Sequence, residues 1–151
     1  MKLRKFTSEE DYETRKLIKQ AYINGDLQAL VAIKCLDEGV NIPAIKTAFI
    51  LASSTNPKEY IQRRGRVLRL YKGKKYAEIY DFITLPNGLN GVDGSNINIK
   101  NIGKNLARKE LIRVIDFANL SKNKSECNNI IDDIKSAYNL DIYTEEEDMY
   151  D

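Results

Sequence analysis

The chain has 151 residues, of which 42% are hydrophobic, enough to build one core or a domain with an appendage. It has no histidine, and its two cysteines, Cys35 and Cys127, stand far apart. That excludes a zinc site, a Ser/His or Cys/His catalytic arrangement and a disulfide framework. No apolar run reaches the roughly 18 to 20 residues of a membrane span, and the start turns acidic where a secretion signal would be apolar. A cytoplasmic protein without a membrane partner is expected.

The net charge of +2 hides an asymmetry. Residues 141–151 hold six acids and no bases, which leaves residues 1–140 with 24 bases and 16 acids. A basic body suits a polyanionic partner. The acidic tail is expected to be disordered.

In chain order, residues 7–24 read as a helix capped by Thr7 or Ser8. Leu17, Ile18 and Ala21 form its apolar stripe, and Asn24-Gly25 closes it. Residues 27–36 read as a strand buried on both faces. A charged loop, 37–43, follows, then a second strand at 45–52 and a turn at 53–56. A helix over 57–69 comes next, then the lysine-rich turn YKGKK and a third strand at 76–83. Strands alternating with helices predict an α/β fold with a parallel sheet, whose ligands sit at the carboxyl ends of the strands. Loop 37–43 and turn 53–56 both fall on that edge. Residues 86–99 read as a Gly/Asn-rich linker. Helices over 101–120 and 125–138 then form a hairpin, with Ala107, Leu111, Val114, Ile115 and Ala118 on one face and Ile130, Ile131, Ile134 and Ala137 on the other.

The 57–69 helix, PKEYIQRRGRVLR, is the most informative stretch. Asn56 can cap it, Pro57 suits its first turn and Glu59 sits at the capping-box position. On a 3.6-residue wheel Gln62, Arg66 and Arg69 share one face, while Tyr60, Ile61, Val67 and Leu68 fall opposite. Gly65 leaves room beside the polar stripe. Arg64 falls on the apolar side and must snorkel or find a partner. Two guanidiniums and an amide pointing one way can hold a phosphate. An ordinary amphipathic helix with a solvated basic face accounts for the RRGR cluster about as well.

Two linked stretches tip that balance. LVAIKCLDEGVNIP at 30–43 and EYIQRRGRVLR at 59–69 resemble motifs V and VI of superfamily 2 helicases and translocases, with AFILASSTNP fitting the strand and turn between them. The flavour is that of the DEAD/DEAH-like group with restriction-enzyme helicase subunits and DNA-repair translocases. In that family two RecA-like lobes clamp ATP. The first carries the phosphate loop and the Mg²⁺-binding acid, the second motifs IV to VI. This sequence resembles the second lobe over about residues 10–83. It has no GxxxxGK[ST] and, by this reading, no room before residue 7 for motif IV and its strand. The expectation is a partial RecA-like sheet that begins late, marginally stable or self-associating, with a helical extension.

The resemblance implies roles for particular residues. Arg66 and Arg69 become arginine fingers reaching the γ-phosphate, and Gln62 helps place that phosphate or its attacking water. Gly39 brings backbone close to nucleotide or nucleic acid. Asn41 stands where Asp is common, keeping a hydrogen bond but losing a charge. Ile33 and Lys34 replace a frequent Thr-Asp pair, so a hydroxyl contact to nucleic acid is missing at 33. Ser53, Ser54 and Thr55 can contact phosphates. ATP would be shared with a first lobe, in cis or in trans, that also holds Mg²⁺. This chain holds no metal. DNA, single- or double-stranded, is the expected partner, with RNA left open. The alternatives are a stand-alone nucleic-acid-binding or regulatory module and a fragment without function of its own.

Overall fold

The computed structural model describes residues 1–32, 42–51, 56–91 and 97–141. They form two compact units, Met1–Asp81 and Phe82–Asp151.

The first unit is built twice from strand, helix and strand. β1 (Leu3–Phe6) and β2 (Ala29–Ala32) are parallel, with Leu3 opposite Ala29 and Phe6 opposite Ala32. Parallel neighbours need a crossover, and α1 (Tyr12–Asn24) supplies it. β3 (Thr47–Ile50) and β4 (Glu78–Asp81) repeat the arrangement around α2 (Pro57–Val67), with Thr47 opposite Glu78 and Ile50 opposite Asp81. The α/β class and parallel pairing expected from the sequence are therefore present. On the β3–β4 pair Phe49 and Tyr80 stack across the register, ring centroids 4.7 Å apart and planes 11° from parallel.

Three expectations need correction here. First, a strand does precede residue 7. The segment LRKF shows no alternation to announce it, and only Phe6 is buried; β1 forms because β2 offers its backbone a ladder, so pairing outweighs local pattern. Second, α1 starts at Tyr12. Asp11 caps it, accepting from the Thr14 N–H at 2.8 Å and the Thr14 hydroxyl at 3.0 Å. Thr7 is engaged elsewhere: its hydroxyl donates to Glu10 Oε2 at 2.8 Å, and its N–H donates to the same oxygen. Third, no residue of α1 is buried, and Leu17 is 70% exposed. The close of α1 is as expected. Gly25, at φ 85°, donates its N–H back to the last turn, in a left-handed conformation that suits glycine.

These loop contacts set an acid limit. Hydrogen bonds from Thr7 hold the Glu10 carboxyl below the ordinary range, and hydrogen bonds from Thr14 do the same for Asp11. A carboxylate with a depressed folded pKa contributes stability above its unfolded value and loses it as pH falls through the folded one. Acid titration followed by circular dichroism should therefore show the first unit weakening below the ordinary carboxylate range. Asp11→Asn with Glu10→Gln should flatten that acid limb.

The second unit is a helical pair, α3 (Ile97–Asn119) and α4 (Lys124–Tyr138). Ala107, Leu111 and Ala118 pack with Ile131, Ile134 and Tyr138, and Val114, Ile115 and Ala137 lie against them. Ile130 departs from its expected face and is 50% exposed. Arg113, 1% exposed, pairs with Glu110 at 2.6 Å inside the unit. Ahead of α3 a 3-10 turn, Gly88–Asn90, is tied to α4. The Tyr138 hydroxyl donates to the Gly88 carbonyl at 2.9 Å and accepts from the Asn87 N–H at 3.1 Å. Residues 86–91 are thus part of the helical unit. No helix among the described residues is long and apolar enough to cross a membrane.

Candidate functional site

α2 carries the candidate residues, and its own sequence explains its start. Asn56 Oδ1 accepts from the Lys58 N–H at 3.0 Å, Pro57 opens the first turn and Glu59 lies within it. One face is anchored: Tyr60, Val67 and Arg64 are 2%, 1% and 8% exposed. Arg64 is thus drawn inward with the apolar residues, as its place on the wheel required. Ile61 and Leu68 are exposed, so the buried stripe is narrower than predicted.

The opposite side carries Gln62, exposed, and Arg66, half-buried. At i and i+4 they are neighbours on the helix surface. Beside Gln62, a Cβ at Gly65 would meet nothing within 4 Å, so the backbone there is open to an approaching group. Arg69 does not share this helical face. The helix stops at Val67, Leu68 caps it, and Arg69 lies beyond the cap, exposed.

Lys74 explains the stop and was not singled out by the sequence. Its Nζ donates to the Val67 carbonyl, to the Arg69 carbonyl at 3.1 Å and to the Pro43 carbonyl at 3.4 Å. A cation against the last carbonyls of a helix complements the negative end of its dipole. Burial pulls the Lys74 ammonium below its ordinary pKa. The available signal was YKGKK itself, a turn with positive φ at Gly73 that returns a lysine to the helix end. Lys74 therefore fixes the backbone on which Arg69 is carried.

Gly39 and Asn41, with Ile33 and Lys34, lie outside the described residues, as do Ser53, Ser54 and Thr55. Among the described residues no group of His, Cys, Asp or Glu could hold a metal ion.

These features define an α/β lobe with parallel strands and a pair formed by exposed Gln62 and half-buried Arg66 on the helix that follows β3. Residues 1–71, just under half of the chain, match the helicase conserved C-terminal domain. The chain is 31% identical over 78 residues to the DNA 3'-5' translocase XPB2 of Sulfurisphaera tokodaii, covering 52% of this chain and 17% of that protein. It is 32% identical over 77 residues to putative helicase 22 of a Sulfolobus islandicus filamentous virus, covering 51% and 14%. Among solved structures, the C-terminal part of the Fun30 ATPase domain aligns over 78% of this chain and 40% of its own, with a TM-score of 0.48 and 18% identity. The chain spans less than a fifth of the curated relatives it matches.

Proposed function

We propose that the chain acts as the second lobe of an ATP-dependent DNA helicase or translocase and is inactive in ATP hydrolysis without a first lobe. The carrying observation is α2 itself: Tyr60, Arg64 and Val67 anchor it, while Gln62, Gly65 and Arg66 lie on its accessible side. ATP, bound by the first lobe with Mg²⁺, supplies the phosphoryl group whose transfer drives the lobes apart. Arg66, from the helix, and Arg69, from the segment held by Lys74, reach the γ-phosphate and stabilise charge that develops on it. Gln62 orients that phosphate or the water that attacks it. Gly65 lets the phosphate come close to the helix backbone. Gly39 and Asn41 complete the nucleotide edge, and Ser53, Ser54 and Thr55 contribute to the nucleic-acid track. Domain boundaries follow this division of labour: residues 1–81 form the lobe, and the helical unit that begins at Phe82 is an extension of it.

Gly65→Ala tests the placement. The site has room for the methyl group, and alanine in a helix interior is worth about 0.5–1 kcal/mol over glycine. The variant should melt higher, yet in the enzyme completed with a first lobe its ATP turnover should fall on the order of tenfold to a hundredfold, because the phosphate is displaced. Higher stability with unchanged turnover would show that nothing approaches Gly65.

A further inference from the structure

The positive charge of the second unit is concentrated on one part of α3. Residues 97–109 contain Lys100, Lys104, Arg108 and Lys109 and no acid. α4, by contrast, carries Glu126, Asp132 and Asp133 against Lys124 and Lys135. Helix electrostatics favours acids, not bases, toward a helix N-terminus, so local stability does not account for this distribution. Lys100, Lys104 and Arg108 follow one another at four-residue intervals, about 6 Å apart along the axis. Asn101 and Asn105 run beside them.

This flank borders a cleft of about 350 Å³. It is lined by Asn101, Lys104, Asn105 and Arg108 from α3 and by Asn139, Leu140 and Asp141 after α4. Asn139 takes a left-handed conformation, φ 48°, and its carbonyl accepts from Lys104 Nζ at 3.5 Å. That contact steers the Lys104 ammonium along the cleft. Asp141 contributes one carboxylate, which leaves the two cations in excess. The surface is therefore cationic, rich in amide donors and linear.

We infer that this flank of α3 is a second nucleic-acid contact, gripping the sugar-phosphate backbone of one strand through Lys100, Lys104 and Arg108, with Asn101 and Asn105 as hydrogen-bond donors. Cations repeating along a line match a polymer with a charge at each repeat, and amides donate to phosphate or sugar oxygens without reading sequence. The contact rests on the preceding reading only for its nucleic-acid partner; the Gln62–Arg66 face takes no part in it.

The test is fluorescence anisotropy of the full chain with a single-stranded DNA oligonucleotide and an RNA of the same sequence, across a salt series. Each lost single-strand phosphate contact lowers the slope of log affinity on log salt by about 0.7. Lys100→Gln/Lys104→Gln/Arg108→Gln should therefore reduce the slope by about 2, so that the affinity lost between about 50 and 200 mM salt shrinks roughly twentyfold. Arg108→Gln alone, at an exposed position, should reduce it by about 0.7 and keeps the test valid if the triple variant folds poorly. The charge-preserving Lys100→Arg/Lys104→Arg/Arg108→Lys variant should keep the wild-type slope. Unchanged slope and affinity in the glutamine variants would overturn the inference while leaving the ATP reading intact. Displacement of the oligonucleotide by poly-glutamate at equal charge concentration would also overturn it, in favour of an acidic protein partner. Loss of ATP turnover in the Arg66 variants has no bearing on either result.

Discussion

Arg66→Ala, in the enzyme completed with a first lobe, is expected to lower ATP turnover by about 10³- to 10⁵-fold, the contribution typical of an arginine finger. Most of the DNA affinity should survive. On the proposed reading the two effects separate, because Arg66, on α2 next to Gln62 and open Gly65, would meet charge that develops only during phosphoryl transfer. The buried anchors Tyr60, Arg64 and Val67 are untouched, so a thermal melt of the variant should still show a folded lobe. Steady-state hydrolysis and DNA binding measured on one preparation decide the matter. Loss of DNA affinity equal to the loss of turnover would place Arg66 on the nucleic-acid track instead.

Gly91→Ala should be the most damaging small substitution in the helical unit. Gly91 has φ 72° and ψ −168°, a region essentially restricted to glycine, where other residues lose about 1–3 kcal/mol. A Cβ there would also stand 2.0 Å from the Ala137 carbonyl oxygen. That oxygen belongs to the backbone of α4, so no side-chain rotation relieves the overlap, and crowding of this kind adds about 1–3 kcal/mol. The turn would part from α4, weakening the Tyr138 bonds to Asn87 and Gly88. Thermal unfolding of the full chain should shift down by many degrees for Gly91→Ala and by clearly less for Gly73→Ala, where the positive φ strains an alanine but its Cβ meets nothing within 4 Å. Equal shifts would mean that the backbone angle alone, not the contact with Ala137, governs the site.

Residue type and spacing revealed much of this, though unevenly. The start of α2 was legible because Asn56, Pro57 and Glu59 are local signals, each acting on its own turn. Its end was not. Leu68, Arg69, Leu70 and Tyr71 include no glycine or proline, and the stop depends on Lys74 returning to the Val67 and Arg69 carbonyls. A wheel extended past Val67 therefore gave Arg69 a helical neighbour it does not have. The start of α1 was misplaced for a related reason. The expected cap was Thr7 or Ser8, but Glu10 engages Thr7 and Asp11, which was not singled out, caps the helix. β1 was invisible because its reason for existing lies in β2. The α3–α4 core read well because both faces repeat at the helical period over many residues. Lys104 and Arg108 gave no such signal. Their significance depends on Asn139 to Asp141 closing the cleft beside them, a juxtaposition that spacing along one helix does not contain.

The most direct test of the half-site account is ATP hydrolysis by the purified chain, with and without DNA, repeated after addition of a first lobe carrying a phosphate loop. The account predicts no turnover above background for the chain alone and DNA-stimulated turnover on addition of the first lobe. Robust hydrolysis by the chain alone, abolished by Arg66→Ala, would contradict it: the chain would then hold a complete phosphate-binding site of its own.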